Sequence, residues 1–212
     1  MKYTFLIFAA ALAVASCKKE KSNEDTPSVS DGAYVMPSTI GSYWVYEWSQ
    51  VDSSGNVTPM NITDTVQITG TVFMNGHTYV KYEGNMMGNP TSWIHRDSSD
   101  CIVNTEGTII YSTQSGAFLM EYDFSNIFHR LFKMGNPTTF TYNGSQISVL
   151  DKQEIVSNLD GTPINPCGMT QTFHNYFASG IGEVRYETAY VSSLQGNCGI
   201  LQRNLVNYHI AL

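Results

Sequence analysis

Charge is scarce in this sequence. Only 14% of its 212 residues are Asp, Glu, Lys or Arg, against roughly 25% in ordinary soluble domains. Cations are the scarcer sign, with 11 Lys and Arg against 18 Asp and Glu and a net charge of −7. That balance argues against a nucleic-acid partner, which calls for a basic face able to replace condensed counterions. Long apolar runs are missing too. No segment beyond the N-terminus holds about 18 consecutive apolar residues, so no later helix is expected to span a bilayer. A sustained 3.6-residue apolar period is absent over any three turns, which excludes a helical bundle. The chain also lacks His-Glu-x-x-His, a Cys-x-x-Cys or Cys/His ligand cluster, a Gly-x-Ser-x-Gly elbow and a Gly-rich phosphate loop. The expectation is a protein with no cofactor, no metal and no catalytic apparatus.

The missing charge is replaced by Ser, Thr, Asn, Gly and aromatics, the last at 12%. That mixture suits strands and polar turns. Alternation broken by turn chemistry runs through the chain from residue 42 onward. In SYWVYEWSQV (42–51), Trp44, Tyr46 and Trp48 share one face, and DSSGN (52–56) is a turn. TDTVQITGTVF (63–73) and HTYVKYE (77–83) join through Asn75-Gly76, and TTFTY (138–142) joins QISVLDKQEIV (146–156) through Asn143-Gly144. Asn-Gly favours type I′ hairpins because both residues tolerate positive φ. Further strands are read in SWIHR, CIVN, TIIYS, FLMEYDF, MTQTFHNYFA (169–178), EVRYETAYV (183–191) and ILQRNLVNYHI (200–210). SNIFHRLFKM (125–134) is the one helical candidate, with Ser125 as its N-cap. The spacing predicts an all-β antiparallel meander of about eleven short strands, forming a curved sheet, half-barrel or sandwich.

The N-terminus reads as an export signal. Met1 and Lys2 precede an apolar run over residues 5–15, too short to span a membrane and followed by small residues. Val14-Ala15-Ser16-Cys17 resembles the lipobox of bacterial lipoproteins. The resemblance implies cleavage before Cys17 and acylation of that cysteine with palmitate or a similar chain. Each buried methylene contributes about 0.8 kcal/mol, and two or more chains anchor stably where one does not. Residues 18–33, almost free of large apolar side chains, read as a flexible tether. The expected organisation is a signal peptide over 1–16, a lipidated cysteine and tether over 17–33, and one β domain over 34–212. Lys18-Lys19 favours anionic head groups, and Asn23-Glu24-Asp25 resembles the acidic stretches that accompany surface export. The expected address is the outer membrane, on its cell-surface or periplasmic face.

Four further stretches, GSYWVYEW (41–48), MNGHTYVKY (74–82), WIHRDSS (93–99) and FASGIGEVRYE (177–187), carry a broader resemblance. Together they are similar to a pattern common in small lipoproteins of the Bacteroidota: an opening aromatic strand, a strand, Asn-Gly, strand unit, an Arg-Asp turn and a glycine corner. The sequence departs from the pattern at Asp100-Cys101, Ile181 and Glu183. The resemblance implies a β-rich envelope domain, with a curved sheet like that of lipoprotein carriers, and implies no activity.

Candidate site residues are few. Cys167 and Cys198 both sit in glycine-containing loops before strands, in a compartment that permits disulfides. A bridge between them would contribute roughly 3 kcal/mol; the alternative is that these two and Cys101 are all reduced. Cys101 reads as a small core residue. The five histidines are dispersed; His95 and Asp97 lie two apart on one strand and read as a polar outer face. Gly180-Ile181-Gly182 reads as a turn needing unusual dihedrals. Acidic pairs such as Asp97 with Asp100, or Glu183 with Glu187, resemble a glycosidase pair no more than any acidic chain would. Trp44, Tyr46 and Trp48 make a ligand platform if exposed, and core or pocket wall if inward. The expectation is a non-catalytic, lipid-anchored binding or scaffold module for a protein, glycan or lipid, touching the membrane through its acyl chains. The alternatives are a carrier or chaperone for a hydrophobic ligand such as a lipid or lipoprotein, and a cryptic hydrolase. Interior volume discriminates between a filled sheet and a carrier.

Overall fold

The computed structural model describes residues 36–162, 172–192 and 197–212, with the side chains of 190–192, 197 and 198 left aside. The signal segment, Cys17, the tether, Cys167 and the sulfur of Cys198 lie outside the described residues.

Thirteen strands follow one another in the described chain: β1 Tyr43–Asp52, β2 Val57–Met74, β3 His77–Met86, β4 Asn89–Ser98, β5 Cys101–Val103, β6 Ile109–Ser112, β7 Phe118–Phe124, β8 Phe128–Met134, β9 Thr138–Tyr142, β10 Ser145–Asn158, β11 Thr172–Ala178, β12 Gly182–Ser192 and β13 Asn197–His209. All pair antiparallel in the order β6-β5-β4-β3-β2-β1-β13-β12-β11-β10-β8-β7, with β9 set beside β10. Nearly every neighbour in sequence is a neighbour in space, as a meander demands. The sheet curls until its edge strands β6 and β7 approach without pairing, giving a nearly closed half-barrel.

Local chemistry accounts for the turns. Asn75 and Gly76 have φ of 54° and 80°, and Asn143 and Gly144 have 47° and 77°. These are the dihedrals of the type I′ turns expected from the two Asn-Gly pairs. Gly180 and Gly182, at 73° and 99°, make the expected corner between β11 and β12. At Gly84 the reason for glycine is space, since a Cβ would meet the Thr65 carbonyl oxygen at 2.2 Å.

The expected helix over 125–134 is a hairpin instead. Ser125 and Asn126 have φ of 51° and 52°, left-handed values that turn β7 into β8 and cannot open a right-handed helix. Residues 128–134 then hydrogen-bond to strands on both sides, with β7 and with β10. Two ladders satisfy more backbone than a short isolated helix could. This strand raises the number beyond the eleven expected.

Two clusters of buried side chains form the core. One joins Trp44, Tyr46, Val66, Ile68, Tyr82, Phe140, Val149, Val184 and Leu205. The other joins Ile102, Tyr111, Leu119, Phe132, Met134 and Phe177. Cys101, at the start of β5, is buried as expected. It is also disulfide-bonded, which overturns the alternative of three reduced cysteines.

Candidate functional site: a pocket inside the half-barrel

Alternation along β1 sends Trp44, Tyr46 and Trp48 inward, where they are 1%, 3% and 2% exposed. An exposed aromatic platform on β1 is therefore excluded. Trp44 and Tyr46 also act as fasteners, because Trp44 Nε1 donates to the Ile181 carbonyl at 2.6 Å and Tyr46 Oη to the Glu183 carbonyl at 3.0 Å. Both bonds pull the β11–β12 corner against β1. Trp48 Nε1 donates to Asp64 of β2 at 2.5 Å. The same carboxylate accepts from the backbone N–H groups of Met87 and Gly88, each at 2.8 Å, and so locks the β3–β4 turn onto the wall.

Opposite Trp48 on β13 lies Arg203, and opposite Arg203 on β12 lies Tyr186. The guanidinium carbon of Arg203 stands 4.4 Å from the Tyr46 ring centroid, 5.4 Å from Tyr186 and 5.9 Å from Trp48. Arg203 pairs with Glu183 and points Nη1 at Met86 Sδ, 3.4 Å away. A register shift between Tyr176 and Phe177, where β11 meets β12, is what lets Glu183 and Tyr186 face the same interior. Burial and then the Glu183 charge push the Tyr46 phenol up, so it stays neutral.

Between the two core clusters these walls leave a pocket of about 240 Å³. Trp44, Val66, Trp93, Ile102, Ile110 and Phe177 make most of its apolar wall. Tyr82 and Trp93 stack with centroids 5.8 Å apart and planes 5° from parallel, which stiffens the β3–β4 side. Polar groups are gathered among them: His95 from β4, Tyr111 from β6, Lys152 from β10, Glu183 and Arg203. Three polar atoms of this set, His95 Nδ1, Tyr111 Oη and Arg203 Nε, are buried and hydrogen-bond to no protein group. Buried polar atoms are normally satisfied, so three orphans around one pocket are unusual.

Lys152 lies opposite Met134 and Asn175 in the ladders, with Nζ 5.5 Å from the Phe132 ring centroid. It forms no ion pair among the described residues. Burial lowers its pKa, opposed by the charges of Glu183 and Glu154. Glu154 is itself paired with Arg130. His95 was expected on a polar outer face; instead it turns inward beside Tyr82 and Trp93. Burial, reinforced by the Lys152 charge, pushes its pKa down to about 4. A second polar group lies elsewhere, around the Asp151–His174 contact at 3.0 Å. Among the described residues no group of three or more His, Cys, Asp or Glu is placed to hold a metal.

His95 makes a pH dependence that can be measured. Its folded pKa of about 4 lies below the ordinary value of 6.5, so the unfolded chain binds the proton first. The fold thus keeps its full stability above pH 6.5 and loses it as pH falls toward 4, by roughly 3 kcal/mol at most. Urea midpoints for the wild type should fall across this window. His95→Phe should flatten that part of the profile, and an unchanged slope would refute the neutral, buried assignment.

No family model matches the chain, and no curated protein does. Among solved structures it is similar to a protein from Bacteroides fragilis described as exported and as having a YmcC-like fold. That likeness has a TM-score of 0.49 and 10% identity, and covers 84% of this chain and 100% of the other. It is also similar to a protein from Parabacteroides distasonis described as a lipoprotein, with a TM-score of 0.43, 12% identity, and coverage of 85% and 100%.

Of the β1 aromatics to which the sequence points, Trp44 and Tyr46 reach the pocket and Trp48 does not. Lys152, Tyr111 and Arg203 carry no such signal in the sequence. A lysine between Asp151 and Gln153 on an alternating strand reads as surface, and the only signal against it was its parity with Leu150 and Glu154.

Proposed function

We propose that this chain is a lipid-anchored envelope module that binds one small, mostly apolar molecule inside its half-barrel, without catalysis. The observation that carries the reading is the pocket of about 240 Å³ between two otherwise packed clusters. A scaffold with a filled core has no use for such a space, because each unfilled methyl-sized void costs about 1 kcal/mol. Its size narrows the occupant. A space of about 240 Å³ suits a small molecule better than a whole diacyl lipid. The export signal and lipobox resemblance around Cys17 support the address, with the outer membrane as the anchoring bilayer.

Titration calorimetry with 1-octanol tests the binding. The wild type should bind saturably, and Thr91→Trp, which places bulk at the pocket wall, should abolish the signal while keeping the melting temperature. Absence of binding by the wild type overturns the reading. The anchor is tested by acyl labelling of Cys17→Ser, where retained label refutes it. A second reading, an enzyme, is favoured by one observation: His95 and Lys152, both with lowered pKa values, line one pocket. Turnover of a panel of small esters, lost in His95→Phe, would put that reading in place of the first.

A further inference from the structure

The occupant's chemistry can be narrowed by the charge balance of the pocket. Arg203 and Glu183 neutralise each other in an ion pair. Asp64 is engaged by three donors outside the pocket wall, and Glu154 is held by Arg130. His95 is neutral at pH 7. Lys152 is then the one cation of the lining that no carboxylate contacts among the described residues, Glu183 and Glu154 acting on it only from beyond ion-pair distance.

Two residues that carry unpartnered polar atoms, His95 and Tyr111, line the same pocket as Lys152. Tyr111 packs in the same cluster as Phe132 and Met134, the residues that flank Lys152 across the β8–β10 ladder. His95 lies near enough for the Lys152 charge to act on it. Tyr111 is 2% exposed, and its hydroxyl has no hydrogen-bond partner. An ammonium on an otherwise apolar wall matches one anionic end of a greasy molecule. One cation without a contacting carboxylate matches one negative charge. A phosphate monoester, at about −1.5 to −2 near pH 7, would leave a buried excess.

We propose that the pocket selects a small carboxylate with an apolar body, the carboxylate paired with Lys152. The inference rests on the binding function proposed above. It is tested on the mature chain bearing Cys17→Ser, by calorimetry with octanoate, 1-octanol and octylammonium. Octanoate should bind at least 10-fold tighter than octanol, and octylammonium should give no saturable signal. Lys152→Met should remove the preference for octanoate over octanol measured on that same variant, with circular dichroism showing that the variant is folded. Lys152→Arg should keep the preference. Equal affinity for octanoate and octanol in the wild type, or a preference that survives Lys152→Met, overturns the carboxylate assignment alone. Failure of octanoate and octanol alike overturns both this inference and the binding function beneath it.

Discussion

Arg203→Met should destabilise the domain by about 3–5 kcal/mol, the usual cost of breaking a buried ion pair from one side. Arg203 is 3% exposed and its guanidinium stands against three aromatic rings. The larger part of the loss is not the missing arginine. It is the Glu183 carboxylate, whose side chain is 16% exposed and whose ion-pair partner would be gone. At roughly 2–4 °C per kcal/mol for a domain of this size, the melting temperature should fall by about 10 °C. Because the cost lies in the stranded charge, Arg203→Met combined with Glu183→Gln should recover more than half of it. Chemical denaturation of the two single variants and the double variant forms a complete cycle. A single-variant loss below about 1 kcal/mol would mean that water reaches Glu183 and that the pair contributes little.

Asp64→Ala should cost about 3–4 kcal/mol through the opposite kind of orphan. Here the removed group is the acceptor, and three donors lose their partner: Trp48 Nε1 and the backbone N–H groups of Met87 and Gly88. An unsatisfied buried donor costs about 1–3 kcal/mol, with the lower figure applying where water can enter. Trp48 is 2% exposed, whereas the turn at Met87 and Gly88 is partly open. Asp64→Asn keeps an acceptor oxygen and should recover about half the loss. Hydrogen exchange separates this account from simple loss of packing. In Asp64→Ala the amides of Met87 and Gly88 should exchange much faster, while those of the distant β9–β10 hairpin change only with global stability. Uniform acceleration would refute the view that Asp64 locks one turn.

Much of the fold was legible along the chain because its determinants are short-range. Asn75-Gly76 and Asn143-Gly144 stand where the left-handed dihedrals are needed, and alternation marked the strands between them. The misreading at 125–134 has a physical cause. Phe128, Leu131 and Phe132 are spaced for a helix face as well as for strands, and ladders with β7 and β10, unseen in sequence, tip the balance. The same blindness hid the pocket. His95 and Lys152 sit on alternating strands whose polar positions look solvent-facing, and their inward aim follows from how the sheet curls.

Residue order by itself determined the all-β class and the meander, since alternation and turn dihedrals are each written within a few residues. Tertiary structure alone decided which face of each strand is enclosed, that Trp48 is spent on Asp64 while Trp44 and Tyr46 reach a pocket, and that Lys152 sits within it. Where a strand mixes polar and apolar residues on a face, as β10 does around Lys152, sequence alternation leaves the enclosed face open, and the curvature that settles it is a property of the whole sheet.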